Sequence, residues 1–218
     1  MALILNIDTA LQTGSVCLSR NAQPLAYMQN AEPSGQASWI HEAIRQMMQD
    51  CNLHLHELDA VAVSNGPGSY TGLRIGLATA KGICYTLKIQ LICINTLFIM
   101  ASSVSPQADD LICPMIDARR MEVFTALYDK QLNTIDEQTA MVLTENSFES
   151  YLSHRKILFT GNGSLKFQPL TASANARFLD EKMNATHMPP IAAKMWEQQQ
   201  FSGLAYVEPE YVKAVYTI

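Results

Sequence analysis

Cysteine chemistry is the first thing this sequence lacks. Its five cysteines (Cys17, Cys51, Cys84, Cys93, Cys113) are odd in number, widely spaced and form no C-x-x-C pair, which argues against a disulfide framework or a zinc ribbon and reads as reduced core thiols. No apolar run approaches the ~18–20 residues needed to span a bilayer. The opening Met1-Ala2-Leu3-Ile4-Leu5 meets Asn6 and Asp8 before a signal-peptide core can form, so a cytoplasmic protein without membrane attachment is expected. A positive stripe is missing as well. The net charge is −5 and Arg119-Arg120 is an isolated basic pair, too little to neutralise many phosphates. Any RNA should therefore be held mainly by another subunit.

What is present is an ordinary globular composition. Apolar residues make up 48 % of the chain and charged residues 16 %, enough buried surface to offset chain entropy and to exclude disorder. A length of 218 residues suits two small lobes.

Three short β-favouring runs, Leu3 to Ile7, Ser15 to Ser19 and Leu25 to Gln29, are separated by turn-rich stretches and predict sequential antiparallel strands. After the breakers Pro33-Ser34-Gly35 the period changes, and Ile40, Ile44, Met47 and Cys51 mark an amphipathic helix over Ser38 to Cys51. A strand at Ala60 to Ser64, a glycine loop, a helix from Thr71 to Leu87 and a strand at Leu91 to Ile94 complete the order β-β-β-α-β-α-β. That order is that of a ribonuclease-H-like lobe in an α/β protein.

Beyond the linker-like Ser102–Asp110, Cys113 to Ala118 with Glu122 to Tyr128 echoes the opening strand pair. Ile157 to Ser164 likewise echoes Val61 to Ser69. The echoes suggest a duplicated lobe, with accidental recurrence as the alternative. The expected domains are 1–104, carrying the partner-binding helices, and a reduced lobe at 105–218. The tail after His187 is polar and proline-spaced, with a helical stretch near Ala192 to Gln200 and an extended end from Tyr206 to Ile218.

The run Gly66-Pro67-Gly68-Ser69-Tyr70-Thr71-Gly72-Leu73-Arg74-Ile75-Gly76-Leu77-Ala78-Thr79-Ala80-Lys81-Gly82 resembles the signature of the TsaB (YeaZ) family. The opening Ile4 to Ala10, Asp117 to Phe124 and Pro209 to Lys213 resemble that family at corresponding positions. The resemblance implies an actin-like ATPase fold with a reduced second lobe. It also implies a non-catalytic scaffold that binds a TsaD-like catalytic subunit, with a TsaE-like ATPase as third member, in adding threonylcarbamoyl to the adenosine next to the anticodon of tRNA. It implies no cofactor on this chain itself, with ATP or ADP possible at the interface with the catalytic partner. Catalytic relatives carry a metal-binding histidine pair, and the matching stretch here, Asn95 to Ala101, has no histidine.

Asp8 stands where actin-like ATPases place a phosphate-facing carboxylate in an Asp-x-Gly-Thr turn, but Asp8-Thr9-Ala10-Leu11 has no glycine to let a phosphate approach. It either contacts an anion or caps its own turn. Gly66, Gly68 and Ser69 precede a helix N-terminus, where free N–H groups could hold an anion, yet the loop lacks the Gly-Lys-Ser/Thr ending of a P-loop. Structural closure is the alternative. His54 and His56, two apart in a polar stretch, read as a solvated pair, so no metal is assigned, and no nucleophile with a base is offered.

Gly72, Gly76 and Gly82 weaken the second helix by about 1 kcal/mol each relative to Ala, which calls for compensating contacts. Gly72, Gly76 and Ala80 recur at i, i+4 and i+8 as a smooth stripe, Ile83 lies near it, and Trp39 and Ala43 form a matching stripe on the first helix. These six are the expected partner interface, also able to support a homodimer; packing of the stripes within the chain is the alternative. Two rival functions remain: an actin-like small-molecule kinase or ATPase would need the glycine-bearing phosphate turn, and a metallopeptidase would need H-E-x-x-H or a histidine pair.

Overall fold

The structure is a computed structural model, and it describes residues 2–30, 32, 35–104 and 110–213. Pro33, Ser34, most of the expected linker at 105–109 and the end of the tail at 214–218 lie outside the described residues. The chain divides into two compact units, Met1–Thr96 with Asn184–Glu210, and Leu97–Met183 with Tyr211–Ile218.

The first unit is built on β1 (Leu3–Asp8), β2 (Ser15–Arg20), β3 (Gln23–Gln29), α1 (Gln36–Asp50), β4 (Ala60–Gly66), α2 (Tyr70–Leu87) and β5 (Gln90–Asn95). The sheet order is β3-β2-β1-β4-β5, with β1, β2 and β3 antiparallel and β1, β4 and β5 parallel. Strand β1 is buried along its whole length, because both faces of the sheet are covered. On one face Leu5, Ile7, Val61 and Val63 meet Ile40 and Met47 of α1 and Leu77 and Cys84 of α2. The period-3.6 apolar rows of these helices bury against the period-2 rows of the strands, which is why the sequence folds in this order. At its N-terminus α2 is capped by Ser69, whose Oγ accepts from Gly72 N–H at 3.2 Å. It ends at Lys88 in the left-handed conformation, φ 57.

The second unit holds α3 (Thr96–Ser102), which begins on the last residue of the first, then β6 (Asp110–Asp117), β7 (Glu122–Tyr128), β8 (Thr134–Val142), α4 (Glu149–Leu152), β9 (Lys156–Thr160), α5 (Ser164–Phe167) and β10 (Ala176–Leu179). Its sheet runs β10-β9-β6-β7-β8. With β6 antiparallel to β7 and parallel to β9, this repeats the first sheet strand for strand. Helices α4 and α5 shrink to one turn each, and the core closes instead on aromatic rings. Phe159 lies 5.0 Å from Phe167 and 5.2 Å from Phe178, centroid to centroid.

The expected lobe at 105–218 needs correction. The segment Asn184–Glu210 returns to the first unit, and its helix α6 (Pro189–Glu197) packs on β1 and β5. The physical reason is the uncovered face of the first sheet, which α1 and α2 cannot reach from their own side. Among the described residues, no helix is long and apolar enough to cross a membrane.

Candidate functional site

The end of β1 places Asp8 among backbone and hydroxyl groups. Ser64 Oγ on β4 donates to Asp8 Oδ1 at 2.7 Å, and the Ala10 N–H donates to the same oxygen at 3.1 Å. Among the described residues, Asp8 Oδ2 has no hydrogen-bond partner. Asp8 is 1 % exposed, and burial pushes its pKa up to about 6 against the smaller opposing effects of those two hydrogen bonds.

The glycine loop approaches this turn backbone to backbone. Ser69 N–H donates to Ala10 O at 2.7 Å, and Thr9 Oγ1 donates to Gly72 O at 2.7 Å. A Cβ on Gly68 would overlap Ala10 O, one on Gly72 would overlap Thr9 O, and one on Gly76 would overlap Thr9 Oγ1. Gly66, at φ +121, faces the backbone of Glu210. Glu210 N–H donates to Asn65 O at 2.8 Å, and Asn65 Nδ2 donates to Glu208 O at 3.1 Å. Asp8, Gly68 and Ser69 are thus brought together, while Gly66 is covered by the returning tail. The close approach that glycines grant a phosphate elsewhere is made here by this chain's own carbonyls.

The expected partner stripe is also corrected. Gly72, Gly76, Ala80 and Ala43 are buried inside the first unit, since α2 lies directly on the Thr9 turn. Trp39 is half-buried against the same core. Of the six, Ile83 lines an outward-facing groove. That groove, ≈ 500 Å³, runs between the helices with Ala78, Gly82, Leu87, His41 and Leu55 as further walls. A Cβ on Gly82 in its wall would meet nothing within 4 Å. The signal for these missed residues was a second small-residue row, Ala78, Gly82 and Thr86, at the same spacing of four.

In the second unit the matching carboxylate is Asp117. It accepts from Lys166 Nζ at 2.5 Å and from the Arg119 N–H at 2.6 Å. Partial burial raises its pKa, but the Lys166 and Arg119 contacts and fields outweigh that and lower it overall. His54 and His56 stack at 5.3 Å and are exposed. Among the described residues, no three His, Cys, Asp or Glu side chains gather as a metal site would require.

The family described as "TsaD: tRNA N6-adenosine threonylcarbamoyltransferase" matches residues 35–210. The tRNA threonylcarbamoyladenosine biosynthesis protein TsaB of Escherichia coli (strain K12) is 27 % identical over 218 residues, covering 96 % of this chain and 94 % of that protein. Its counterpart in Bacillus subtilis (strain 168) is 31 % identical over 134 residues, covering 62 % of this chain and 58 % of that protein. The latter match spans under two thirds of that relative's length. A crystal structure of a protein with similarity to peptidase YEAZ from Pseudomonas aeruginosa superposes with TM-score 0.85 over 98 % of this chain and 100 % of that one at 20 % identity. An activator of 2-hydroxyisocaproyl-CoA dehydratase from Clostridium difficile, solved with ADPNP, reaches TM-score 0.51 at 8 % identity over 91 % and 96 %. The fold is the two-lobed actin-like α/β fold with a reduced second lobe.

Proposed function

This chain belongs to the TsaB (YeaZ) family, and from that premise we propose that it is an activating subunit in the addition of threonylcarbamoyl to the adenosine next to the anticodon of tRNA. It binds a TsaD-like catalytic subunit and contributes no catalytic group of its own. The observation that carries this reading is the groove on the outer face of α1 and α2, where Ala78 and Gly82 leave room for a close helix and Ile83 and Leu87 offer apolar surface. The inward stripe is already occupied, so this outer face is where a helix of the catalytic subunit docks. A homodimer through the same face when that subunit is absent, and a TsaE-like ATPase as third member, belong to the same reading.

ATP or ADP is assigned to the junction with the catalytic subunit rather than to this chain's glycine loop. The support is steric: Gly66 is filled by Glu210 and Gly68 by Ala10. A kinase or ATPase reading meets the same obstacle, and a metallopeptidase reading lacks ligands among the described residues.

Gly82→Arg tests the docking face. The isolated variant should melt no lower than the parent, since an exposed interior glycine is being replaced by a better helix former, while co-purification with the catalytic subunit and tRNA modification by the pair should be lost. A variant that still binds and supports modification defeats the assignment. The scaffold role is tested on the purified chain alone: tRNA modification or ATP hydrolysis that disappears in Asp8→Ala would overturn it.

A further inference from the structure

The turn between β6 and β7 carries two arginines that the proposed function leaves unused. Arg119 and Arg120 adopt φ of 69 and 45, successive left-handed positions of the kind that Asn and Gly fill without steric conflict. The turn is closed by Ala118 N–H donating to Glu122 O at 3.0 Å, and both arginines are exposed beside Met121, itself 42 % exposed.

The carboxylates beside them are taken. Asp117 accepts from Lys166 Nζ at 2.5 Å, and Glu122 accepts from Lys213 Nζ at 2.9 and 3.0 Å. Arg119 meets Asp117 through its backbone N–H and through its field. Among the described residues, no hydrogen bond or ion pair engages either guanidinium. Two adjacent like charges held in a sterically costly turn, with their natural counter-ions assigned to lysines, are poised for an anion from outside.

We propose that Arg119 and Arg120 form a clamp for the phosphodiester backbone of the transfer RNA, engaged in the complex with the catalytic subunit; this rests on the function proposed above. Guanidinium forks pair bidentately with phosphate oxygens. The surrounding charge of −5 keeps binding by the isolated chain weak, so the clamp acts on RNA that another subunit already holds.

The test uses the reconstituted complex with Arg119→Asn and Arg120→Gly combined, beside a charge-keeping double variant, Arg119→Lys with Arg120→Lys. Asn-Gly suits left-handed backbone, so the isolated Asn-Gly chain should melt at the same or a higher temperature, and its pairing with the catalytic subunit should be unchanged. Its complex should bind tRNA about tenfold more weakly, and the slope of log affinity against log salt should be shallower by about 1.4–1.8, as the loss of two phosphate contacts requires. The lysine variant should keep most of the slope. Unchanged affinity and slope in an intact Asn-Gly complex overturns the clamp. Loss of the complex itself also overturns it, by placing the arginines against protein. A parent complex that forms yet binds no tRNA sinks the proposed function, and the clamp with it.

Discussion

The two units end their first strand on an aspartate in the same topological position, and the two carboxylates are opposites. Asp8 is buried, has one oxygen without a hydrogen-bond partner among the described residues, and has its pKa raised to about 6. Asp117 is exposed, holds a lysine and has its pKa lowered. The strand order around them is the same. The difference comes from what covers the sheet. Ser15, opposite Asp8 on β2, accepts from the Ala185 N–H at 2.9 Å, so the returning segment seals the face on which Asp8 sits. Shared topology fixes where a carboxylate stands; its cover decides the pH at which it takes up charge.

The harshest way to break the comparison is to displace the first turn. Gly76→Arg would drive a long side chain into Thr9, next to Asp8, overpacking the core and taking a guanidinium out of water. It should cost roughly 4 kcal/mol or more, read as a collapse of the urea midpoint, whereas Gly82→Arg on the same helix should cost nothing. Equal midpoints for the two would show that α2 does not lie on the turn.

A milder intervention sharpens the contrast through pH. Because the folded pKa of Asp8 is about 6 against an ordinary 3.8, the folded state binds the extra proton between those values. The contribution of this group to stability is therefore greatest below pH 3.8 and is lost as the pH rises to about 6, a span worth about 3 kcal/mol. Asp8→Asn should remove this slope and leave the protein as stable or more stable at neutral pH, because no buried charge then has to be desolvated. Urea unfolding of parent and variant from pH 3.5 to 7.5 (roughly the window set by those values) checks it. A parent curve with no fall attributable to Asp8 refutes the assigned environment.

The smallest effect is expected in the second unit, and with the opposite sign. The lowered pKa of Asp117 supplies stability present above its ordinary value and lost as the pH falls through the folded value. Its side chain is 39 % exposed, so screening limits the loss in Asp117→Asn to ~0–1 kcal/mol at neutral pH. A pH titration of the Asp117 side-chain carbon signal by NMR should place its midpoint below that of an ordinary aspartate; a midpoint at or above it would erase the contrast between the turns.

Much of this was legible in the sequence, for a physical reason. Strands β1, β2 and β4 and helices α1 and α2 bury one face or both, so their apolar periods betray them, and the echoes at Cys113 and Ile157 fall on β6 and β9. Strand β8, at a sheet edge with most side chains exposed, carries no such period and was not anticipated. The site was read less well. Gly72-Gly76-Ala80 and Ala78-Gly82-Thr86 have the same spacing, and the choice between them is made by Thr9, whose hydroxyl reaches Gly72 across 63 residues of sequence. Periodicity cannot register a contact of that range. The return of Asn184–Glu210 was hidden likewise, since a proline-spaced polar segment gives no sign of which surface it will cover.

That return sets an order of events during synthesis. A ribosome delivers Leu3 to Asn95 first, then the whole of the second sheet, and only afterwards Ala185, α6 and Glu210. The second unit can close its aromatic core while the first still shows one sheet face, with Asp8 on it, to water. The part of the molecule made first is therefore finished last. Until Glu210 arrives, the nascent first unit leaves Gly66 uncovered beside a carboxylate not yet sealed from water, a state that the completed chain no longer displays.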